Sequence, residues 1–180
     1  MHDVFGAVML GIFAAAPILT YRARFGFWRS TRIADFVDGE RVRVDGVVEP
    51  IGKPLRAPYI DMECVVFSIW REDPSPTGET SDELEAQDFM LRDIAGDSVL
   101  VRVGVRCRFD GGRLVRVPTQ NVDAQLIQAG DAVSVIGFAA EVPALDGMGA
   151  TYREPPRRWI LSGSDTQQLV IIGRKLTRRS

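Results

Sequence analysis

Asp88, Asp93 and Asp97 are the residues of this chain best placed to do chemistry, because a short strand-and-turn segment could bring all three to one rim. Paired carboxylates there could hold a divalent cation or relay a proton in a hydrolytic step. That would make the chain a carboxylate-dependent enzyme, a hydrolase or a metal-dependent catalyst. The competing and favoured expectation is that acids beside turns cap backbone amides and face water. Other catalytic chemistry is scarce. The only cysteines are Cys64 and Cys107 and the only histidine is His2, so a zinc finger, a RING or a Cys/His redox site lacks its ligands, and a Cys–His or Ser–His relay would need a base that stands ahead of the apolar run Val4 to Tyr21. The two cysteines, well separated in a domain expected in the cytoplasm, are expected as small packed residues on strands rather than a disulfide. No catalytic residue, cofactor or metal site is assigned.

These residues lie among runs with a period near two, the signature of strands. Arg41-Val42-Arg43-Val44-Asp45 alternates valines with charges, and Glu63 to Trp70 is rich in β-branched and aromatic residues. Further runs are Asp88 to Leu91, Ser98 to Val105, Arg113 to Val117, Ala132 to Ala140, Arg157 to Leu161 and Leu169 to Ile172. The expected fold is mainly β, a small OB-like antiparallel barrel or sandwich. Asp110-Gly111-Gly112 reads as a hairpin turn. Asn121 to Gln128 reads as one short helix, with Val122, Leu126 and Ile127 inward and Gly130 as its stop. Arg71 to Ala86, with two prolines and six acids, reads as a solvated excursion between strands or an acidic docking loop. The glycines of the loop Val142 to Pro156 do not form a phosphate cradle.

Location is more legible than activity. Val4 to Tyr21 is an uncharged apolar run of 18 residues, and at about 1.5 Å per residue it just spans a hydrocarbon layer of about 30 Å. A cleaved signal peptide wants positive charge ahead of the apolar core, whereas Met1-His2-Asp3 stands there; a soluble core helix would need burial all round. Arg22, Arg24, Arg29 and Arg32 all follow the run, interleaved with aromatic residues, so the positive-inside rule puts the remainder in the cytoplasm. Between residues 33 and 172 the chain holds 14 bases against 23 acids, a net charge of −9, which disfavours nucleic-acid binding. Arg174, Lys175, Arg178 and Arg179 make the tail basic and suited to anionic lipid headgroups, together with the arginines after the span. The expected organisation is therefore a spanning and juxtamembrane segment over residues 1–32, one β domain over 33–172 and a basic tail over 173–180.

The stretches Lys53-Pro54-Leu55-Arg56-Ala57-Pro58, Glu63-Cys64-Val65-Val66-Phe67, Asp88-Phe89-Met90-Leu91-Arg92-Asp93-Ile94-Ala95-Gly96-Asp97 and Ala129-Gly130-Asp131 to Gly137, in that order, resemble the GIDE or "beside a membrane" domain. That domain occurs in a mitochondrial membrane-anchored ubiquitin ligase and in many prokaryotic membrane proteins, next to a transmembrane helix. The resemblance covers roughly residues 33 to 172 and implies architecture. Pro54 and Pro58 would fix a turn, Cys64 would pack inside a strand, Asp93 and Gly96 would join two strands, and Gly130-Asp131 would lead into the strand that begins at Ala132. Leu55, Phe89 and Gly137 belong to the same stretches. The chain has no RING after the domain, so ligase activity is not implied. The expected function is a membrane-anchored interaction module that meets a protein partner at the lipid surface.

Overall fold

Alternating apolar and charged residues give β1 (Arg41–Pro50) one buried and one wet face, with Val42, Val44 and Val48 all inside. Arg41 to Val47 pair with β11 (Ala132–Pro143), and from Val47 onward the strand pairs with β6 (Phe89–Arg92). The change of partner falls at Gly46, where a Cβ would lie 2.4 Å from the Arg92 carbonyl oxygen. Only glycine lets the two backbones approach so closely at a barrel corner. The computed structural model describes residues 29–71, 81–104, 106–118, 122–143 and 157–174, with backbone alone for 71, 81, 82 and 157.

β6 pairs antiparallel with β7 (Ser98–Arg102), β7 parallel with β12 (Arg157–Ser162), and β12 antiparallel with β11. Since β11 also pairs with β1, the five strands close into a barrel. Phe89, Leu91, Val99, Val101, Val135 and Leu161 fill its interior and are shielded from water. Each such side chain contributes roughly 1.5–3 kcal/mol by burial. A short 3-10 turn, Ile33–Asp35, adds Ile33 and Phe36 to this core, and Phe36 meets Trp159 edge-on at 5.5 Å. Beyond β12, β13 (Leu169–Gly173) continues along β11 and takes β8 (Cys107–Gly111) as a parallel partner.

Two insertions into the barrel build a second layer. The first, between β1 and β6, supplies β2 (Leu55–Ala57), β3 (Met62–Cys64), β4 (Val66–Arg71) and β5 (Ser81–Ala86). The second, between β7 and β11, supplies β8, β9 (Arg113–Val117) and β10 (Val122–Ile127). They combine into a four-stranded antiparallel sheet of order β5-β4-β10-β9. One face, with Phe67, Ile69, Ala124 and Leu126, packs on the β2–β3 hairpin through Ala57 and Cys64. At one end of the other face Val66 and Ile127 join the barrel core.

The expectation of a mainly β barrel holds, and several finer expectations are corrected. Asn121 to Gln128 is not a helix: Val122 to Ile127 form β10, held between β4 and β9, with Val122, Ala124 and Leu126 alternating inward. The second part of the excursion Arg71 to Ala86 is β5, because its backbone pairs with β4 whatever its side chains prefer. Asp110-Gly111-Gly112 is not a hairpin, since β8 pairs with β13 and β9 with β10. Gly111 and Gly112, at φ +80° and +88°, hand the chain from one sheet to the other, and a Cβ on Gly112 would lie 2.6 Å from the Leu126 carbonyl oxygen. The sheet is also not purely antiparallel, as β7–β12 and β8–β13 are parallel.

The chain divides into two units, Met1–Ser30 and Thr31–Ser180. Among the described residues no helix is long and apolar enough to cross a membrane. The run Val4 to Tyr21, Arg22 and Arg24, and the tail residues Lys175, Arg178 and Arg179 lie outside the described residues.

Candidate functional site

The three aspartates form no common metal-holding group among the described residues, and the carboxylates of Asp88 and Asp93 are taken up by backbone amides. Asp88 accepts a hydrogen bond from the Val103 amide at 2.8 Å. Asp93, only 7 % exposed, accepts from the Ile33 amide at 3.1 Å through one oxygen and from the Ala95 and Asp97 amides at 2.9 and 3.1 Å through the other. Asp97 closes the same turn with its carbonyl, which accepts from the Asp93 amide. Among the described residues no group of three metal-ligating side chains occurs. A carboxylate saturated by amide donors is an architectural device rather than a base.

The other motif residues are placed as turns and packing. Asp93 and Gly96 make the β6–β7 turn, with Gly96 at φ +95°. Gly130 and Asp131 make the turn into β11, where the Asp131 carboxylate accepts the Gln128 amide at 2.8 Å. Pro54 and Pro58 flank β2, Leu55 stands opposite Cys64 across the hairpin, and Phe89 and Gly137 are buried in β6 and β11. Cys64 is buried and Cys107 half-buried, and neither is disulfide-bonded. Burial pushes both thiols up to about 11, so neither is poised as a thiolate nucleophile near neutral pH. Of the basic residues assigned to the lipid surface, Arg32 pairs with Asp35 at 2.9 Å and Arg29 is exposed.

Arg174 has an additional engagement. It forms an ion pair with Asp45, which also takes a hydrogen bond from the Ser134 hydroxyl and lies 3.3 Å from Arg43. Burial works against the charge of Asp45, but Ser134, Arg43 and Arg174 together outweigh it and hold the carboxyl below its usual range. A carboxyl depressed in the folded state stabilises the fold above its unfolded value, about 4, and that contribution disappears as the pH falls through the lower folded value. Asp45→Asn should therefore melt lower than the parent at pH 7, with the gap closing below about pH 4. A gap independent of pH in melts across that window would contradict the assignment.

Two open clefts flank the barrel. One of about 380 Å³ lies where β7 and β12 break before β8 and β13, lined by Arg102, Arg106, Ser162, Ser164 and Asp165. The other, about 270 Å³, lies between Pro50, Pro54, Glu63 and Gln128. The first sets Ser162 and Ser164 beside Asp165 and the second sets Cys64 beside Glu63, but among the described residues no hydrogen bond joins either pairing, and the Cys64 thiol donates to the Leu55 carbonyl instead. The more distinctive surface was invisible to sequence reasoning: Leu84, Ser68, Gln125 and Leu114 form one row across the four-stranded sheet. Its two leucines are 45 % and 63 % exposed, on the face that the β2–β3 hairpin does not cover. Burial of Ser68 and Gln125 is partial. The alternation of β5 and β9 could have suggested such a row only if their neighbours had been known. Comparison with protein-family models, with curated proteins and with solved structures found no match.

Proposed function

We propose that this chain is a membrane-tethered module of the GIDE type whose β domain docks a protein partner at the lipid surface. The observation that carries the reading is the second sheet, which projects Leu84 and Leu114 into solvent and has free edges at β5 and β9 among the described residues. Exposed apolar residues on a sheet with open edges suit recognition by strand addition and side-chain packing. The barrel itself is OB-like in this reading. Taken in chain order, its strands run first, second, third, fifth, fourth and back to first, with the third and fifth parallel. The apolar run Val4 to Tyr21 supplies the tether and the arginines after it the contact with lipid headgroups.

The test is chemical crosslinking in native membranes. The full chain should stay in the pellet after a high-salt wash, and a chain beginning at Thr31 should not. Leu84→Asp with Leu114→Asp should leave the melting temperature unchanged and reduce crosslinked partners at least tenfold. Sedimentation of the shortened chain would put the tether elsewhere, and unchanged crosslinks in the double variant would put the docking face elsewhere.

A further inference from the structure

We propose that the docked partner is a second copy of this chain, joined head to tail by antiparallel pairing of β9 in one copy with β5 in the next. The proposal rests on the module reading and names its partner. Three observations carry it: the direction of the edge strands, the alignment of their exposed residues and the sign of their charges.

All neighbours in the four-stranded sheet are antiparallel, so its outer strands β5 and β9 run in opposite directions. Displacing a second copy along the sheet therefore sets its β5 antiparallel to β9 of the first and continues the ladder. The rows of the sheet then decide what meets what. Leu114 shares a row with Gln125, Ser68 and Leu84, so extension of that row brings Leu114 of one copy against Leu84 of the next. These are the two large apolar side chains that the sheet leaves exposed at its edges. Arg113 shares a row with Leu126, Phe67 and Glu85, so Arg113 meets Glu85 of the next copy. The row of Arg116 ends at Asp82.

Charge gives the direction of assembly. Among the described side chains the β5 edge carries Glu83 and Glu85, and the β9 edge carries Arg113 and Arg116. Edge charges commonly guard a sheet against pairing with itself. A guard against every pairing would put one sign on both edges. Here two β5 edges repel, two β9 edges repel, and a β5 edge attracts a β9 edge. Among the described residues Arg113 donates to Gln128 at 3.3 Å and Arg116 lies 3.7 Å from Asp123, contacts that leave each guanidinium donors for a neighbour. Opposite charges and apolar pairs facing each other across strands are stabilising. The interface uses two different patches, so it repeats head to tail, as an open line or a ring, rather than closing as a two-fold dimer.

The full chain in native membranes is the material for the test, with Leu84→Cys and Leu114→Cys and a short bis-maleimide as the crosslinker. The parent chain sets the background, since its own thiols are buried or half-buried. Two differently tagged single variants expressed together should give mixed dimers, each single variant alone should give none, and the doubly substituted chain should give a ladder of dimers, trimers and longer products. Arg113→Glu in the doubly substituted chain should reduce the ladder at least tenfold, and adding Glu85→Arg should restore it, which a folding defect would not allow. Dimers from either single variant alone as abundant as from the mixture would overturn the proposal. So would a doubly substituted chain that melts like the parent and does not crosslink to itself. Other proteins captured at these positions in that case would leave the module reading standing; no capture at either edge would remove both.

Discussion

Asp93→Ala is expected to lower the free energy of unfolding by about 2–4 kcal/mol, measured by urea denaturation, because one carboxylate serves three backbone amides. It holds the β6–β7 turn through the amides of Ala95 and Asp97 and fixes the 3-10 turn ahead of β1 through the amide of Ile33. Hydrogen bonds to a charged acceptor contribute more than neutral ones, and the buried Ile33 amide stripped of its acceptor keeps its full desolvation penalty. Asp93→Asn should recover part of the loss, since a carboxamide retains one acceptor oxygen but cannot serve both sides of the carboxylate. A loss below about 0.5 kcal/mol in the alanine variant would mean that water replaces the carboxylate at the Ile33 amide as well, contrary to the burial of Ile33 and Asp93.

Gly46→Val is expected to be at least as damaging. The added Cβ would sit 2.4 Å from the Arg92 carbonyl oxygen and 2.9 Å from Leu91 Cγ, and the first of these is backbone that cannot rotate aside. Relief requires separating β1 from β6 at the point where β1 changes partner, so the loss should exceed the usual 1–3 kcal/mol of an overpacked core, on the order of 3 kcal/mol or more. Gly52→Ala offers a control at a turn where a Cβ meets nothing within 4 Å and only its φ of +74° is strained. Equal melting temperatures for Gly46→Val and the parent would show that the corner opens without cost.

Most strands are legible from residue types because burial on one face imposes a period of two. Val42 and Val44 in β1 and Phe67 and Ile69 in β4 are plain examples. Where two periods fit the same residues, the sequence misleads: Val122, Leu126 and Ile127 suit a helical face, and only Ala124, buried between β4 and β9, completes the alternation of a strand. β5 is hidden for a different reason. Its acids are typical of a solvated loop, but an edge strand needs only backbone pairing on one side, and charged side chains there are compatible with water. The glycines at Gly111 and Gly112 signal a turn correctly, and nothing local says that the turn leads between sheets. Strand order is information about distant pairs, so the second sheet and its row of leucines could not be read from either insertion alone.

The interleaving of the two sheets also governs how the chain reaches this state. Arg43 and Ser134, joined by a side-chain hydrogen bond between β1 and β11, are 91 residues apart in sequence. Closing a flexible loop of that size costs about 4 kcal/mol in chain entropy beyond a constant. The strand pairs β4–β5 and β9–β10 are local and can form early. Docking them against each other through β4 and β10 shortens the effective loop before the barrel closes. The second layer, built from the insertions, thus acts as a folding clamp for the barrel that contains it, and the chain belongs among the non-local β topologies that fold in milliseconds to seconds rather than microseconds.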